Sequence, residues 1–78
     1  MSQRVRIDFG NRVKEMRLAQ GISLRKFALM IGIDKSFLVD IEHGRKSPTL
    51  DTIEKIACGL NVTFAELFDG LGPTDLSD

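Results

Sequence analysis

The 78-residue chain is poor in the residues that many functional sites require. It has one cysteine, Cys58, one histidine, His43, and no tryptophan or tyrosine. One cysteine cannot form an internal disulfide, and a structural zinc site needs about four ligands. A nucleophile also needs a base beside it, and no spacing in the sequence pairs His43 with Cys58. We therefore expect a protein that is not an enzyme and that holds no metal and no cofactor.

The chain also lacks a long apolar run. No stretch approaches the roughly 18 apolar residues that span a membrane, and residues 1–10 lack the apolar centre of a signal peptide. The lone cysteine suits a reducing compartment. The sequence predicts a cytoplasmic protein with no membrane partner and no evident small-molecule ligand.

The formal net charge is zero, but the charges are unevenly distributed. Residues 1–46 carry ten Lys and Arg against five Asp and Glu, which gives +5. Residues 47–78 carry one Lys against six acids, which gives −5. Local potential steers association more than net charge does, so the basic half is a candidate surface for phosphates.

The apolar residues follow the helical period, and no useful stretch alternates with the period of a strand. Capping residues and glycines divide this pattern into five short helices, which predicts a compact all-α domain over residues 8–69. A flexible arm, residues 1–7, and an acidic, disordered tail, residues 70–78, are expected at the two ends. The predicted helices are 8–20, a second from the cap Ser23 to Gly32, a third from the cap Asp34 to Gly44, 50–59, and a short fifth from Thr63 to about Asp69.

The expected core follows from the same periodicity. In helix 4 the inward residues are predicted to be Leu50, Ile53, Ala57 and Leu60. In the last part of the chain Val62 and Leu67 are the expected core residues, while Cys58 falls off the inward stripe.

The stretch from Ser23 to Gly44 is the most informative part of the sequence. Two short amphipathic patterns meet there at Gly32, as in a helix-turn-helix. Leu38 and Ile41 supply the inward face of the second pattern, and its polar residues remain for a partner.

Four ordered motifs resemble one known family. They are F-G-x-R-V-x-x-x-R at 9–17, S-L-R-x-F-A-x-x-x-G at 23–32, K-S-F-L-x-x-I-E-x-G at 35–44, and S-P-T-L-D-T-I-x-K-I-A at 47–57, followed by L-N-V-T. This pattern is similar to the helix-turn-helix family of lambdoid repressors, Cro proteins and small bacterial regulators, which includes restriction-modification controllers. In that family the second helix of the motif enters the major groove of DNA.

The resemblance implies which residues contact base edges. They are Lys35, Ser36, Val39 and Asp40. Lys35 can donate to guanine and Asp40 can accept from cytosine, Ser36 can do either, and Val39 can contact a thymine methyl. The alternative is that they are ordinary solvated residues of the helix.

Contacts to the DNA backbone are expected from flexible cations and from a helix N-terminus. Phe37 either lies against the backbone, as an aromatic does in similar controllers, or packs at the edge of the core. For Arg25 and Lys26 a purely solubilising role is an equal alternative. Arg4 and Arg6 could reach DNA from the arm or belong to a disordered terminus. The predicted backbone contacts are Lys14, Ser23, Arg25, Lys26, Phe37, Arg45 and Lys46.

Two further roles are predicted. By resemblance, Arg17 and Glu42 form a structural ion pair between helix 1 and the end of helix 3. Helix 5 has more apolar residues than its length can bury, so Phe64, Phe68 and Leu71 are candidates for the interface of a homodimer. The alternative is that both phenylalanines fold inward.

The leading hypothesis is a dimeric regulator of transcription in a bacterium or phage, which binds double-stranded DNA at a palindromic operator. The second is an antitoxin whose acidic C-terminal half binds a basic toxin protein while the front half regulates its own operon. An enzyme is the least favoured class.

Overall fold

The structure, a computed structural model, describes residues 1–72. It is all-helical over these residues and has five helices, which confirms the predicted fold class. Short connections of three to seven residues join them, as is usual in small helical domains. The helices are α1 Gln3–Ala19, α2 Leu24–Ile31, α3 Lys35–Glu42, α4 Leu50–Leu60 and α5 Phe64–Leu67.

Helix α1 begins five residues earlier than the sequence analysis predicted. Ser2 is its N-cap, and the Ser2 hydroxyl accepts a hydrogen bond from the Val5 N–H at 3.2 Å. The predicted arm is therefore wrong for residues 3–7, which are helical. Val5 and Phe9 are four residues apart and continue the inward stripe one turn towards the N-terminus, which is a signal that the sequence analysis missed.

One apolar core joins the first four helices and the end of α5. Its largest fully buried side chains are three residues of α1 and α2 and five of α3 to α5. They are Phe9, Val13, Phe27, Leu38, Ile41, Ile56, Leu60 and Leu67.

The core prediction for α4 needs two corrections. Leu50 was expected inside but is 74% exposed, whereas Ile56 is fully buried and was not predicted. Leu50 is the first helical residue of α4, and side chains of a helix tilt towards its N-terminus. The Leu50 side chain therefore extends beyond the neighbouring helices although its angular position is correct.

The first four helices end in the same type of turn. Each is followed by a residue in the left-handed region, and the next N–H reaches back to a carbonyl five residues earlier, as in a Schellman motif. The bonds are Ile22 to Arg17, Ile33 to Ala28, Arg45 to Asp40 and Val62 to Ala57.

Helix α5 is held at both of its ends. A capping box joins Thr63 and Glu66, and its hydrogen bonds lower the pKa of the Glu66 carboxyl. After the helix, Phe68 stacks on Phe9 with ring centroids 5.2 Å apart, and Leu71 packs against the core. The acidic tail was predicted over 70–78, and residues 73–78 lie outside the described part of the chain.

Candidate nucleic-acid interface

Helices α2 and α3 form the helix-turn-helix that the sequence predicted. Gly32 follows α2 with a φ of 72°, and the chain then turns into α3 at Asp34. Asp34 occupies the N-cap position, but its side chain makes no capping bond to the backbone. Its carboxylate instead accepts a 2.6 Å hydrogen bond from the Ser36 hydroxyl. The first turn of α3 therefore has free N–H groups that face solvent or a partner.

The two sides of α3 differ in character. Leu38 and Ile41 are buried in the core, with 0% and 1% of their surface exposed. Lys35 and Ser36 are exposed at the beginning of the helix, where the family resemblance predicts base contacts. Val39 is half-buried, and its carbonyl lies 2.8 Å from His43 Nδ1. The structure thus leaves the predicted reading residues Lys35 and Ser36 accessible to a groove.

The turn after α3 directs the chain back over the helix. Gly44 has a φ of 73°, its N–H bonds the Ile41 carbonyl at 3.1 Å, and the Arg45 N–H bonds the Asp40 carbonyl at 2.8 Å. A left-handed φ favours glycine. Gly44 is also buried against Ile7, and a Cβ on Gly44 would lie 2.6 Å from Ile7 Cγ1. This turn fixes the start of the basic loop relative to α3.

Four side chains meet at this end of α3. Asp40 Oδ1 lies 3.5 Å from Arg45 Nη1, and Asp40 Oδ2 lies 3.6 Å from Lys46 Nζ. The same Lys46 ammonium lies 5.8 Å from the centre of the Phe37 ring, within the range of a cation–π contact. Arg45 and Lys46 remain more than half exposed. One predicted base contact, Asp40, is thus paired with two predicted backbone contacts.

The start of α2 offers a second group of predicted backbone contacts. Ser23 is the N-cap, and its hydroxyl accepts a 3.1 Å hydrogen bond from the Lys26 N–H. Arg25 and Lys26 are exposed in the first turn, where the helix dipole also favours an anion. Lys14 is exposed on α1, one turn after Gly10, whose backbone adjoins α3.

The ion pair predicted between Arg17 and Glu42 is present and buried. Arg17 Nε and Nη2 donate to the two carboxylate oxygens at 2.8 and 3.0 Å, and Nη1 donates to the Ile22 carbonyl at 2.8 Å. Each residue is 5% exposed. The hydrogen bonds to Glu42 raise the pKa of Arg17 despite its burial, and the carboxylate charge adds to this. The pair therefore fixes α1 to the end of α3.

Two arginines have contacts that the sequence analysis did not anticipate. Arg6, for which a DNA-binding arm and a disordered terminus were both open, donates from Nε to the Gly44 carbonyl at 3.4 Å and from Nη1 to the Met1 carbonyl at 2.9 Å. Arg12 donates from Nη2 to the Glu66 carbonyl at 2.8 Å. Backbone acceptors of this kind depend on tertiary packing, and no spacing in the sequence indicates them.

The three predicted interface residues differ in exposure. Phe64 is 46% exposed, while Phe68 and Leu71 are half-buried against the core. The stacking of Phe68 on Phe9 supports the inward alternative for that residue. Phe64 is therefore the main apolar side chain of α5 that is free to meet a second copy.

The described residues contain no group of three or more His, Cys, Asp or Glu that could hold a metal ion. Within the same part of the chain, no helix has the length and apolar character needed to cross a membrane. Cys58 is exposed on α4.

The chain matches a family model and several known proteins. The helix-turn-helix model HTH_3 matches residues 13–67. The control protein C.MunI of Mycoplasma sp. is 35% identical over 68 residues, which are 86% of this chain and 92% of that protein. The control protein C.BamHI of Bacillus amyloliquefaciens is 34% identical over 70 residues, covering 88% and 86%.

A solved structure agrees with these matches. The restriction-modification controller protein C.AhdI from Aeromonas hydrophila superimposes with a TM-score of 0.77 and 35% identity. The match covers 80% of this chain and 94% of C.AhdI. The chain is thus similar in fold and sequence to these control proteins over most of their length.

Proposed function

The chain belongs to the helix-turn-helix family HTH_3 of transcriptional regulators, and we propose that it is a controller-type regulator that binds operator DNA. In this proposal two copies bind a palindromic site, and each places α3 in the major groove. This chain covers 92% of C.MunI and 86% of C.BamHI, both named as control proteins, which supports a role as a control protein here.

The observation that carries the proposal is the orientation of α3. The helix buries Leu38 and Ile41, and it leaves its N-terminal residues Lys35 and Ser36 exposed beyond the turn at Gly32. In helix-turn-helix proteins the N-terminal part of the recognition helix contacts base edges. Lys35 would donate hydrogen bonds to guanine O6 and N7, and the Ser36 hydroxyl would donate or accept a hydrogen bond with a neighbouring base.

The cations around α3 support binding to the DNA backbone. Arg45 and Lys46 lie just beyond the C-terminal end of α3, and Arg25 and Lys26 lie at the beginning of α2. Contacts of this kind fix the position of a protein on DNA and make its affinity depend steeply on salt. Base contacts by Val39 and Asp40 and backbone contacts by Lys14, Ser23 and Phe37 remain predictions within this proposal.

A homodimer fits the size of the domain and the length of an operator. Two recognition helices about 34 Å apart would enter successive major grooves on one face of the DNA. Phe64 supplies an exposed apolar side chain on α5 for a twofold contact.

The proposal is tested by replacing Lys35 with alanine and, as a control, replacing a lysine outside the site. Lys35→Ala should weaken binding to a duplex from the region upstream of the chain's own gene by about tenfold to a hundredfold, because a base contact is lost. Lys55→Ala, on the exposed side of α4, changes the same charge and should have little effect. Fluorescence anisotropy titrations with a scrambled duplex of equal length measure the specific part of the affinity.

Two results would refute the proposal. Equal affinity of the unchanged protein for the upstream and scrambled duplexes would exclude sequence-specific regulation of its own promoter. Equal losses for Lys35→Ala and Lys55→Ala would exclude α3 as the reading helix. Circular dichroism of both variants shows whether the fold is retained.

The antitoxin hypothesis receives no support. The relatives described above are named as control proteins, and residues 73–78, which form most of the predicted acidic tail, lie outside the described structure. No contact in residues 1–72 favours a toxin as the partner.

A further inference from the structure

We propose that Asp40 is an internal counter-ion that competes with DNA phosphates for Arg45 and Lys46, so that it lowers the affinity for DNA of any sequence. This inference rests on the proposed function, in which the two cations contact the DNA backbone. It assigns to Asp40 a role different from the base contact that the family resemblance implies.

The geometry of the carboxylate supports this role. Its two oxygens face different cations, at 3.5 Å from Arg45 Nη1 and 3.6 Å from Lys46 Nζ. Asp40 is only 26% exposed at its side chain, whereas the side chains of Arg45 and Lys46 are 63% and 58% exposed. The Asp40 carboxylate is thus mostly covered by protein, whereas the side chains of Arg45 and Lys46 extend over it towards solvent.

The turn that ends α3 differs from the turns that end α1, α2 and α4. At the same position after α1, α2 and α4 the chain has an apolar residue that packs against the core, namely Ile22, Ile33 or Val62. An apolar contact is the usual companion of this turn. After α3 the position is occupied by Arg45, which reaches back to the Asp40 side chain.

Helix stability does not explain the acid at this position. Asp40 lies in the last turn of α3, where the helix dipole disfavours a negative charge. An exposed ion pair gains little free energy, and salt weakens it further. The pairs with Arg45 and Lys46 are therefore weak enough for phosphates to displace, and they reduce the attraction of the free protein for DNA.

Lys46 has a second contact that survives this exchange. The Phe37 ring lies under its ammonium at 5.8 Å. When a phosphate replaces Asp40, the ring continues to hold the lysine near the end of α3. Asp40 and Phe37 together position the cation, and only Asp40 competes with DNA for it.

The test compares Asp40→Asn with Glu54→Gln, which removes one negative charge from the exposed side of α4. Asp40→Asn should raise the affinity for a random-sequence duplex about threefold to tenfold, since two ion pairs no longer compete. The affinity for the upstream duplex should rise by a similar factor. Glu54→Gln should change neither by more than about twofold.

A double-mutant cycle shows whether Asp40 acts through the two cations. Both changes are also made in the double variant Arg45→Ala and Lys46→Ala. There, Asp40→Asn should raise the affinity for DNA no more than Glu54→Gln does. Anisotropy titrations at low salt measure all six proteins, and their melting temperatures verify folding.

Two outcomes would overturn the inference. One is an affinity for random DNA that does not change in Asp40→Asn; if this variant then binds the upstream duplex more weakly, Asp40 is a reading residue instead. The other is an increase that persists without Arg45 and Lys46. Binding to the random duplex does not require operator recognition. Failure of this inference can therefore be distinguished from failure of the proposed function.

Discussion

Arg17 and Glu42 are polar residues whose removal should strongly affect the fold. Their guanidinium and carboxylate form two hydrogen bonds inside the protein, and both residues are almost fully buried. A buried pair is costly to desolvate, so its net contribution is small, but the loss of one partner leaves an uncompensated charge. Arg17 also donates to the Ile22 carbonyl, so it ties the turn after α1 to the same site.

Glu42→Ala should therefore destabilise the protein by about 3–5 kcal/mol, which is a large part of the stability of a small domain. Glu54→Ala, an exposed acid of α4, should remain within about 0.5 kcal/mol of the unchanged protein. Urea denaturation followed by circular dichroism measures both. The double variant Arg17→Met and Glu42→Leu should recover most of the loss, because apolar residues can replace a buried pair. Equal stability of the two single variants would contradict this account.

The sequence allowed this pair to be predicted because its motif matched a family, but it did not indicate the pairing of Asp40. Arg45 and Lys46 were expected to be free for DNA, and each instead lies beside the same carboxylate. The reason is the turn at Gly44, which brings Arg45 and Lys46 back towards Asp40. Helical periodicity does not describe the path of the chain after a helix ends.

At the scale of the elements, the position of α3 depends on a close approach to α1. Gly10 faces the main chain at the end of α3, and a Cβ at this position would lie 2.6 Å from the Glu42 carbonyl oxygen and closer still to that of Ile41. Main-chain atoms cannot move aside as a flexible side chain can. The two helices must then separate, and the reading helix must shift with them.

Gly10→Ala is expected to lower the free energy of unfolding by about 1–3 kcal/mol through overpacking. In an exposed helix the same change stabilises by roughly 1 kcal/mol, so the sign itself is informative. Asn11→Ala, at the next and exposed position of α1, serves as the control and should be neutral or slightly stabilising. Thermal denaturation of both variants makes the measurement. A gain in stability for Gly10→Ala would show that α1 and α3 are not in contact there.

Helix number, order and most helix ends could be predicted, because caps and glycines mark them in the sequence. The predictions failed where burial depends on the position of a residue along the helix and not only on its angle around the helix axis. Leu50 has the correct angle but lies at the open end of α4, and α1 begins at Gln3 because Ser2 caps it. Phe68 turned inward because Phe9, distant in sequence, offers a ring on which it stacks.

The whole molecule has a basic N-terminal half and an acidic C-terminal half, and its domain is near the minimum size for stability. Two copies joined at α5 would carry their recognition helices together and double the number of phosphate contacts. The exposed Phe64 is the residue on which this assembly is expected to depend.

Phe64→Ala should raise the dissociation constant of the dimer by at least about tenfold, because each copy loses part of a buried aromatic contact. Leu29→Ala is the control, since Leu29 is 77% exposed on α2 and lies outside the proposed interface. Sedimentation velocity over a concentration series gives the dissociation constants. A dimer that weakens with Leu29→Ala and not with Phe64→Ala would place the interface elsewhere.

In the proposed complex, two copies read DNA through α3 in successive major grooves. Methylation protection of guanine N7 across the region upstream of the gene tests it directly, because this atom lies in the major groove. Two protected clusters about one helical turn apart are expected, both lost with Lys35→Ala and retained with Lys55→Ala. A single cluster, or protection that is unchanged in Lys35→Ala, would contradict it.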